Sequence, residues 1–455
     1  DNPNVIRQIL AKTMVPQMSQ GDLMPMAITK SCCELYETLD EAGKSVFLQT
    51  LARDFGVSAK DAQAKAREFI KASATGSDAS VPGQLLVNTE MALRNALTPA
   101  YDLFFHRASR CAGGIKFIID LRHLLLKLVA QNRSDHDIVA LNRYLRDKLQ
   151  NWLVGVLDLQ RITWNSPAST LEKLSNYEAV HAISGWDDLK KRVGPGRRCY
   201  GFFHHSMPYE PLVFVQVSNT WPCRAWNILH DPKPQLLTVD DARCAIFYSI
   251  TSQRGLAGVE LGSFLIKRVV GELQTAYPSL EVFCTLSPIP GFRSWLLGQF
   301  GHPASALKNP AIISLQDRKR LEQLGRRIPD TSDSSWIATF KQLVSSSEWM
   351  HDPDSYEVLR PILLRLCADY LLCAKRGKFA LDPVANFHIR NGAQVHRINW
   401  MGDTSPKGMK ESLGMMVNYN YILANVEHNN YNYTRNGVIA VSDSDPWLSP
   451  FKGKL

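Results

Sequence analysis

The segment from residue 244 to residue 295 constrains this chain most, because it reads as strand, glycine-spaced turn, helix, strand and turn in that order. Ala245 to Thr251 is apolar and rich in β-branched and aromatic side chains, as a buried strand requires. Phe264, Leu265, Val269 and Leu273 then return at helical spacing. Between them, Gly255, Gly258 and Gly262 let the backbone pass close to another group. Amides that open a helix are unpaired and lie at the positive end of its dipole, so this turn can hold a phosphate-bearing ligand without a metal. Leu280 to Leu286 supplies the next strand, and Ser287-Pro288-Ile289-Pro290-Gly291 leaves it in a rigid turn. Neither GxxxxGK[ST] nor GxGxxG is present, which disfavours a nucleotide triphosphatase or a dinucleotide dehydrogenase. Glycine spacing alone leaves a second reading open, in which the glycines serve only tight packing.

At 455 residues the chain exceeds one ordinary compact core, and two domains are expected. Residues 1 to about 157 read as helical. Leu35, Leu39, Val46, Phe47, Leu51 and Phe55 begin the pattern, the stretch from Ala72 to Gly83 interrupts it, and Ile138, Leu141, Leu145, Leu149, Trp152 and Val156 form a later apolar stripe. With no catalytic constellation among them, these helices point to a bundle used for assembly. Cys199 to His204 and Pro211 to Val217 read as strands after the Gly194-Pro195-Gly196 loop. Helices are expected over about 292–300, 315–326, 333–348 and 354–375, and Phe387 to Ile389 and Val395 to Ile398 return as strands around the Asn391-Gly392 turn. The fold class is therefore α+β, an all-α N-terminal domain followed by a mixed α/β domain with helical insertions.

Composition excludes several functions. The net charge of +9 is spread along the chain rather than gathered in a basic block, so no nucleic acid is expected as partner. The most apolar helix, Ile115 to Val129, is interrupted by Lys116, Asp120, Arg122, His123 and Lys127, so no membrane span is expected. The nine cysteines are an odd number without a CxxC pair, which points to a reducing compartment, and neither they nor the histidines stand at metal-ligand spacing, so no metal is expected. No secretory leader is visible. A cytoplasmic location is the expectation, with the mitochondrial matrix or the peroxisome as alternatives if a targeting segment has been removed or if Gly453-Lys454-Leu455 is read as an address.

Gln253-Arg254-Gly255-Leu256-Ala257-Gly258 approximates Q/RxxGxG/A, so the opening segment resembles the coenzyme A-binding core of the GNAT acetyltransferase superfamily. A second stretch, VANFHIRNGAQVHRINWMG at 384 to 402, followed by Tyr419-Asn420-Tyr421 and taken with GVELGSFLIKRVV and LSPIPGF, closely resembles the malonyl-CoA decarboxylase family over most of residues 160 to 455. The resemblance implies decarboxylation of malonyl-CoA to acetyl-CoA and carbon dioxide by a GNAT-like catalytic domain at 158–455, with a helical oligomerisation domain at 1–157. It also implies a homo-oligomer, with a tetramer suspected, and inter-subunit disulfides have been associated with the family. The family's catalytic serine and histidine fall on Ser287 and His388, and Tyr421 is a further candidate. Coenzyme A falls on Arg254 and on the run Ala257, Gly258, Val259, Glu260, Leu261, Gly262 and Ser263.

Loss of carbon dioxide leaves a thioester enolate whose carbon must be protonated. His388 suits that task because an imidazole ordinarily titrates near neutral pH, with Ser287 orienting or relaying the proton. The thioester accepts the charge itself, so no cofactor is expected. Two rivals stay open at this point, an acyl-CoA-dependent acyltransferase on the same core and a non-catalytic acyl-CoA sensor.

Overall fold

The computed structural model describes residues 3–15, 23–75, 83–218, 242–259, 261–302, 306–326 and 335–451. The chain divides into two compact units. The first comprises Asp1–Asp158 together with Phe202–Leu212 and Ser252–Leu261, and the second comprises Leu159–Gly201, Val213–Thr251 and Gly262–Leu455.

Helices dominate the first unit: α1 (Pro3–Thr13), α2 (Leu23–Thr38), α3 (Glu41–Asp54), α4 (Ala59–Thr75), α5 (Gly83–Leu97), α6 (Tyr101–Arg110), α7 (Gly114–Gln131) and α8 (His136–Leu153). Their apolar stripes meet in a core that includes Phe47, Leu51, Phe104, Phe105, Leu121, Leu125 and Leu145, with Tyr36 edge-on to Phe47 and Phe117. Asp135 caps α8 by accepting the Ile138 amide at 3.2 Å, and Ile138, Leu141, Leu145 and Leu149 form the buried stripe. The stripe ends differently from the expectation. Leu153 rather than Trp152 completes it, and Val156 lies exposed beyond Gly155, whose φ of +88° belongs to the chain reversal after the helix.

The two late segments join this helical unit through polar and backbone contacts. Gln253 donates its side-chain amide to Glu210 at 2.7 Å and to the Pro211 carbonyl at 3.1 Å, and the Gln253 amide reaches the Leu212 carbonyl at 2.9 Å. The following 3₁₀ turn, Arg254–Leu256, lies directly on α7, where a Cβ at Gly255 would stand 1.9 Å from the Ile119 carbonyl oxygen. For Gly255 the packing reading therefore holds. A Cβ at Gly258, where φ is +78°, would meet Arg146 Cδ at an ordinary 3.8 Å, so this glycine serves the turn itself.

The main sheet is built from β1 (Asp158–Ile162), β2 (Arg197–Phe203), β3 (Val213–Ser218), β4 (Cys244–Ser252), β5 (Val282–Thr285), β6 (Ser287–Pro288), β9 (Gln394–Asn399) and β10 (Met416–Asn420). The short pair β7 (Lys375–Arg376) and β8 (Phe379–Ala380) stands apart. The order is β1-β2-β3-β4-β5-β10-β6, with β9 on the other edge of β10. Parallel pairing of β4 with β5 runs from Cys244 opposite Val282 to Phe247 opposite Thr285. Beyond it, β6 continues along β10 in the register of β5, since Asn420 faces Cys284 and Val417 faces Ser287. Ser287 thus sits where the sheet's central parallel pairing ends.

Phe387 to Ile389, expected as strand, is helical within Pro383–Arg390. The reason is local: Asp382 accepts the amides of Val384 and Ala385, each at 2.9 Å, and Pro383 occupies the first turn, where its missing N–H costs nothing. The expected helices over 292–300, 315–326 and 354–375 correspond to Phe292–Gln299, Leu315–Gly325 and Pro353–Leu372, and the one over 333–348 to Trp336–Ser345, with 333 and 334 outside the described residues. Among the described residues, no helix is long and apolar enough to cross a membrane.

The turn after β6 is held by close approach. Gly291 has no room for a side chain, because a Cβ there would lie 2.2 Å from the Tyr370 hydroxyl oxygen. Gly291→Ala is expected to lower stability by about 1–3 kcal/mol, as overpacking does. Urea unfolding followed by near-ultraviolet circular dichroism checks this through a lower midpoint at unchanged slope.

Candidate active site

Strand alternation gathers the site. In the shared register of β5, β6 and β10, Thr285 and Ser287 point to the same face as Tyr419 and Tyr421. His388 comes to that face from the last turn of the helix Pro383–Arg390, and its ring stacks on Tyr419 with centroids 4.7 Å apart. All five side chains are buried.

One hydrogen-bonded path joins them. The Ser287 hydroxyl donates to Thr285 Oγ1 at 2.8 Å, and the same Thr285 oxygen accepts the Tyr419 amide at 3.1 Å. With the serine proton so committed, His388 Nε2, 3.1 Å from Ser287 Oγ, is the donor in that pair. Nδ1 is then the acceptor and takes the Tyr421 hydroxyl at 2.8 Å. The network assigns the Nε2–H tautomer. Asn418 locks the path from behind, donating to the Thr285 carbonyl at 2.6 Å while accepting from Asn399 at 2.7 Å.

Charge is scarce here. Burial pushes the His388 imidazole down to about 3, and burial alone drives that shift. The expectation that this histidine titrates near neutral pH is therefore corrected: in the free protein it is a neutral imidazole at pH 7. Burial also raises the phenols of Tyr419 and Tyr421, so both remain protonated. The Tyr419 hydroxyl has no hydrogen-bond partner among the described residues, whereas the Tyr421 hydroxyl meets His388.

Asp382 holds the two arms of the site. Besides capping the His388 helix it accepts the Tyr370 hydroxyl at 3.2 Å and the Gly291 amide of the turn that follows Ser287. Burial lifts its carboxyl above the usual value in spite of these donors. Thr285 and Asp382 were not among the sequence candidates. Asp382-Pro383 carried a legible helix-start signal, whereas Thr285 shows itself only through its place two residues before Ser287 on the same strand face.

The residues expected to hold coenzyme A form a separate group. Arg254, Ala257 and Gly258 are exposed, and Val259 and Leu261 are buried. Gly262 and Ser263 open the helix Gly262–Ala276, and Glu260 lies outside the described residues. Among the described residues no group of His, Cys, Asp or Glu could hold a metal ion. Among the described residues eight cysteines form no disulfide, and Cys223 lies outside them.

A neutral buried histidine couples stability to pH. Its folded value near 3 lies below the ordinary 6.5, so between those limits the unfolded chain binds more protons. The stabilisation is complete above about pH 6.5 and is lost as pH falls toward 3. Urea midpoints measured from pH 7 to pH 4 are expected to fall less steeply for His388→Asn than for the parent. Equal slopes would mean that the imidazole is protonated within the folded state.

Residues 155–446 match the malonyl-CoA decarboxylase C-terminal domain, and residues 55–153 match the N-terminal domain of the same family. A mitochondrial malonyl-CoA decarboxylase of Anser anser anser is 40% identical over 411 residues, covering 86% of this chain and 77% of that protein. The mitochondrial malonyl-CoA decarboxylase of Rattus norvegicus is 38% identical over 410 residues, covering 89% of this chain and 81% of that protein. The crystal structure of malonyl-CoA decarboxylase from Rhodopseudomonas palustris is similar with a TM-score of 0.80 at 34% identity, over 99% of this chain and 100% of that one. The structure from Agrobacterium vitis gives a TM-score of 0.80 at 31% identity with the same coverage. Both domains, in sequence and in fold, show that this chain belongs to the malonyl-CoA decarboxylase family of carboxy-lyases.

Proposed function

We propose that the chain carries out the reaction of its family, conversion of malonyl-CoA to acetyl-CoA and carbon dioxide within fatty acid metabolism, at Ser287, His388 and Tyr421. The observation that carries the assignment of residues is the directed path from the Tyr421 hydroxyl through His388 to Ser287. As the bond to the carboxylate breaks, its electron pair enters the thioester and carbon dioxide leaves. The enolate carbon that remains is a strong base. Ser287 gives it a proton, the Nε2–H of His388 refills the serine, and Tyr421 refills Nδ1, with solvent restoring the tyrosine. Each donor starts neutral, so no imidazolium is required.

The low charge of the site also favours the chemistry. Among the described residues no cation is hydrogen-bonded to Ser287, His388 or Tyr421, and a buried place of that kind holds a localised carboxylate poorly, whereas loss of neutral carbon dioxide spreads the charge over the thioester. Ser287 acts as relay and not as covalent nucleophile, because its proton is directed to Thr285 and not to His388. Coenzyme A is assigned to the turn from Arg254 to Ser263, where Gly258 presents exposed backbone at positive φ ahead of the helix start at Gly262.

Assembly is assigned to the helical half. None of the described residues of α5 is buried, and Leu85, Val87, Met91 and Leu97 lie exposed along it, which supports a homo-oligomer, a tetramer by resemblance, built through these helices. For the compartment, the mitochondrial relatives support a mitochondrial location over the cytoplasm expected from sequence.

Incubation with malonyl-CoA and no acceptor amine separates the readings. Acetyl-CoA and carbon dioxide are the expected products, whereas dependence on an added amine would indicate acyl transfer and binding without turnover would indicate a sensor. His388→Asn and Ser287→Ala are each expected to lose about 10²- to 10⁴-fold in kcat with little change in affinity, and a near-parental rate for His388→Asn would remove it from the mechanism. A neutral relay further predicts that kcat/KM has no inflection near pH 6.5 arising from His388. A limb there that His388→Asn abolishes would show that the imidazolium is the donor.

A further inference from the structure

The glycine turn assigned to coenzyme A rests on a buried cation from the helical half of the chain. Arg122, on α7, is almost fully buried, and its guanidinium makes no hydrogen bond to a carboxylate among the described residues. Nη1 donates to the Gly255 carbonyl at 2.5 Å, Nη2 donates to the Ala257 carbonyl at 2.7 Å, and Nε donates to Asn142 at 3.1 Å. Ile119, one helical turn earlier, supplies the carbonyl against which Gly255 packs. One face of α7 thus grips the turn both by contact and by charge.

Peptide geometry gives this grip a consequence. In a trans peptide the N–H points opposite to the C=O, so drawing the Gly255 and Ala257 carbonyls toward α7 turns the amides of Leu256 and Gly258 the other way. The Leu256 amide is taken by the Gln253 carbonyl at 2.8 Å. The Gly258 amide remains, on an exposed residue at φ +78°, with the peptide behind it polarised by a cation. A buried positive charge hydrogen-bonded only to oxygen dipoles, with an outward amide in front of it, suits a phosphate group.

We propose that Arg122 is a positioning residue for coenzyme A, holding the 255–258 turn in the form that presents the Gly258 amide to the pyrophosphate. The proposal rests on the assignment of coenzyme A to this turn. It gives the helical half a part in substrate affinity in addition to assembly.

Calorimetric titration of the full chain with free coenzyme A tests it, using Arg122→Met, Arg122→Lys and Gly258→Val beside the parent and with thermal unfolding of each. Arg122→Met is expected to weaken coenzyme A about tenfold or more and to raise KM for malonyl-CoA in parallel, with kcat at saturation within about twofold of the parent. Arg122→Lys, which keeps the charge and one donor to the carbonyls, is expected to fall between them. A purely structural arginine would lower the unfolding temperature and leave the affinity of the folded protein unchanged, and that result overturns the proposal. If Arg122→Met does not fold, Arg122→Lys decides, since parental affinity in that variant also overturns it. Gly258→Val separates the two assignments. Weakened binding there with parental affinity in the arginine variants refutes the role of Arg122 alone, whereas unchanged binding in Gly258→Val removes the turn from the coenzyme A site and both assignments fall.

Discussion

The site depends on one buried carboxylate. Asp382 satisfies the first amides of the helix that carries His388, and the same group receives the Gly291 amide from the turn behind Ser287. Two segments about a hundred residues apart in sequence are thereby fastened to a single anchor, and the 3.1 Å contact between serine and histidine follows from it. Such an anchor is costly, since a carboxylate in the interior is tolerated only when its oxygens are met by donors. Four groups meet it: three backbone amides and the Tyr370 hydroxyl. Gly291 is the element that makes this possible, because any side chain there would displace the tyrosine.

Much of this was legible in the sequence, and what escaped did so for physical reasons. Ser287, His388 and Tyr421 were named from motifs, and they stand in one hydrogen-bonded path. The secondary structure around His388 was misread because Phe387, His388 and Ile389 form too short an apolar run to distinguish a strand from one buried turn of helix. The deciding signal lay just upstream, in the cap and proline of Asp382-Pro383. Thr285 could not be singled out, since a threonine in a strand is ordinary and only the register with β10 shows that its hydroxyl meets Ser287. Gly255 left two readings open, room for a ligand or for tight packing, and only the distance to Ile119 decides for packing against α7. The state of His388 was equally out of reach, because a titration value depends on surroundings that no local motif encodes.

Burial sets the chemical character of the centre. A histidine near a carboxylate or open to water would gain a proton readily and behave as an ordinary acid. Enclosed by Tyr419, Tyr421 and Ser287, it holds one proton on a defined nitrogen, with the Tyr421 phenol hydrogen-bonded to the other. The relay proposed for it requires only modest acidity, because an enolate carbon is a far stronger base than imidazole.

The division of the chain bears on how it is made. Phe202–Leu212 and Ser252–Leu261 belong to the helical unit although they are synthesised after β1 and β2 have begun. A nascent chain can therefore form most of α1 to α8 early, but that unit is not finished until residue 261 has left the ribosome. Until then α7 keeps a bare face and Arg122 lacks the carbonyls that complete its hydrogen bonding. A cut at residue 158 would strip the helical unit of Phe202–Leu212 and Ser252–Leu261, and with them the two carbonyls that Arg122 meets.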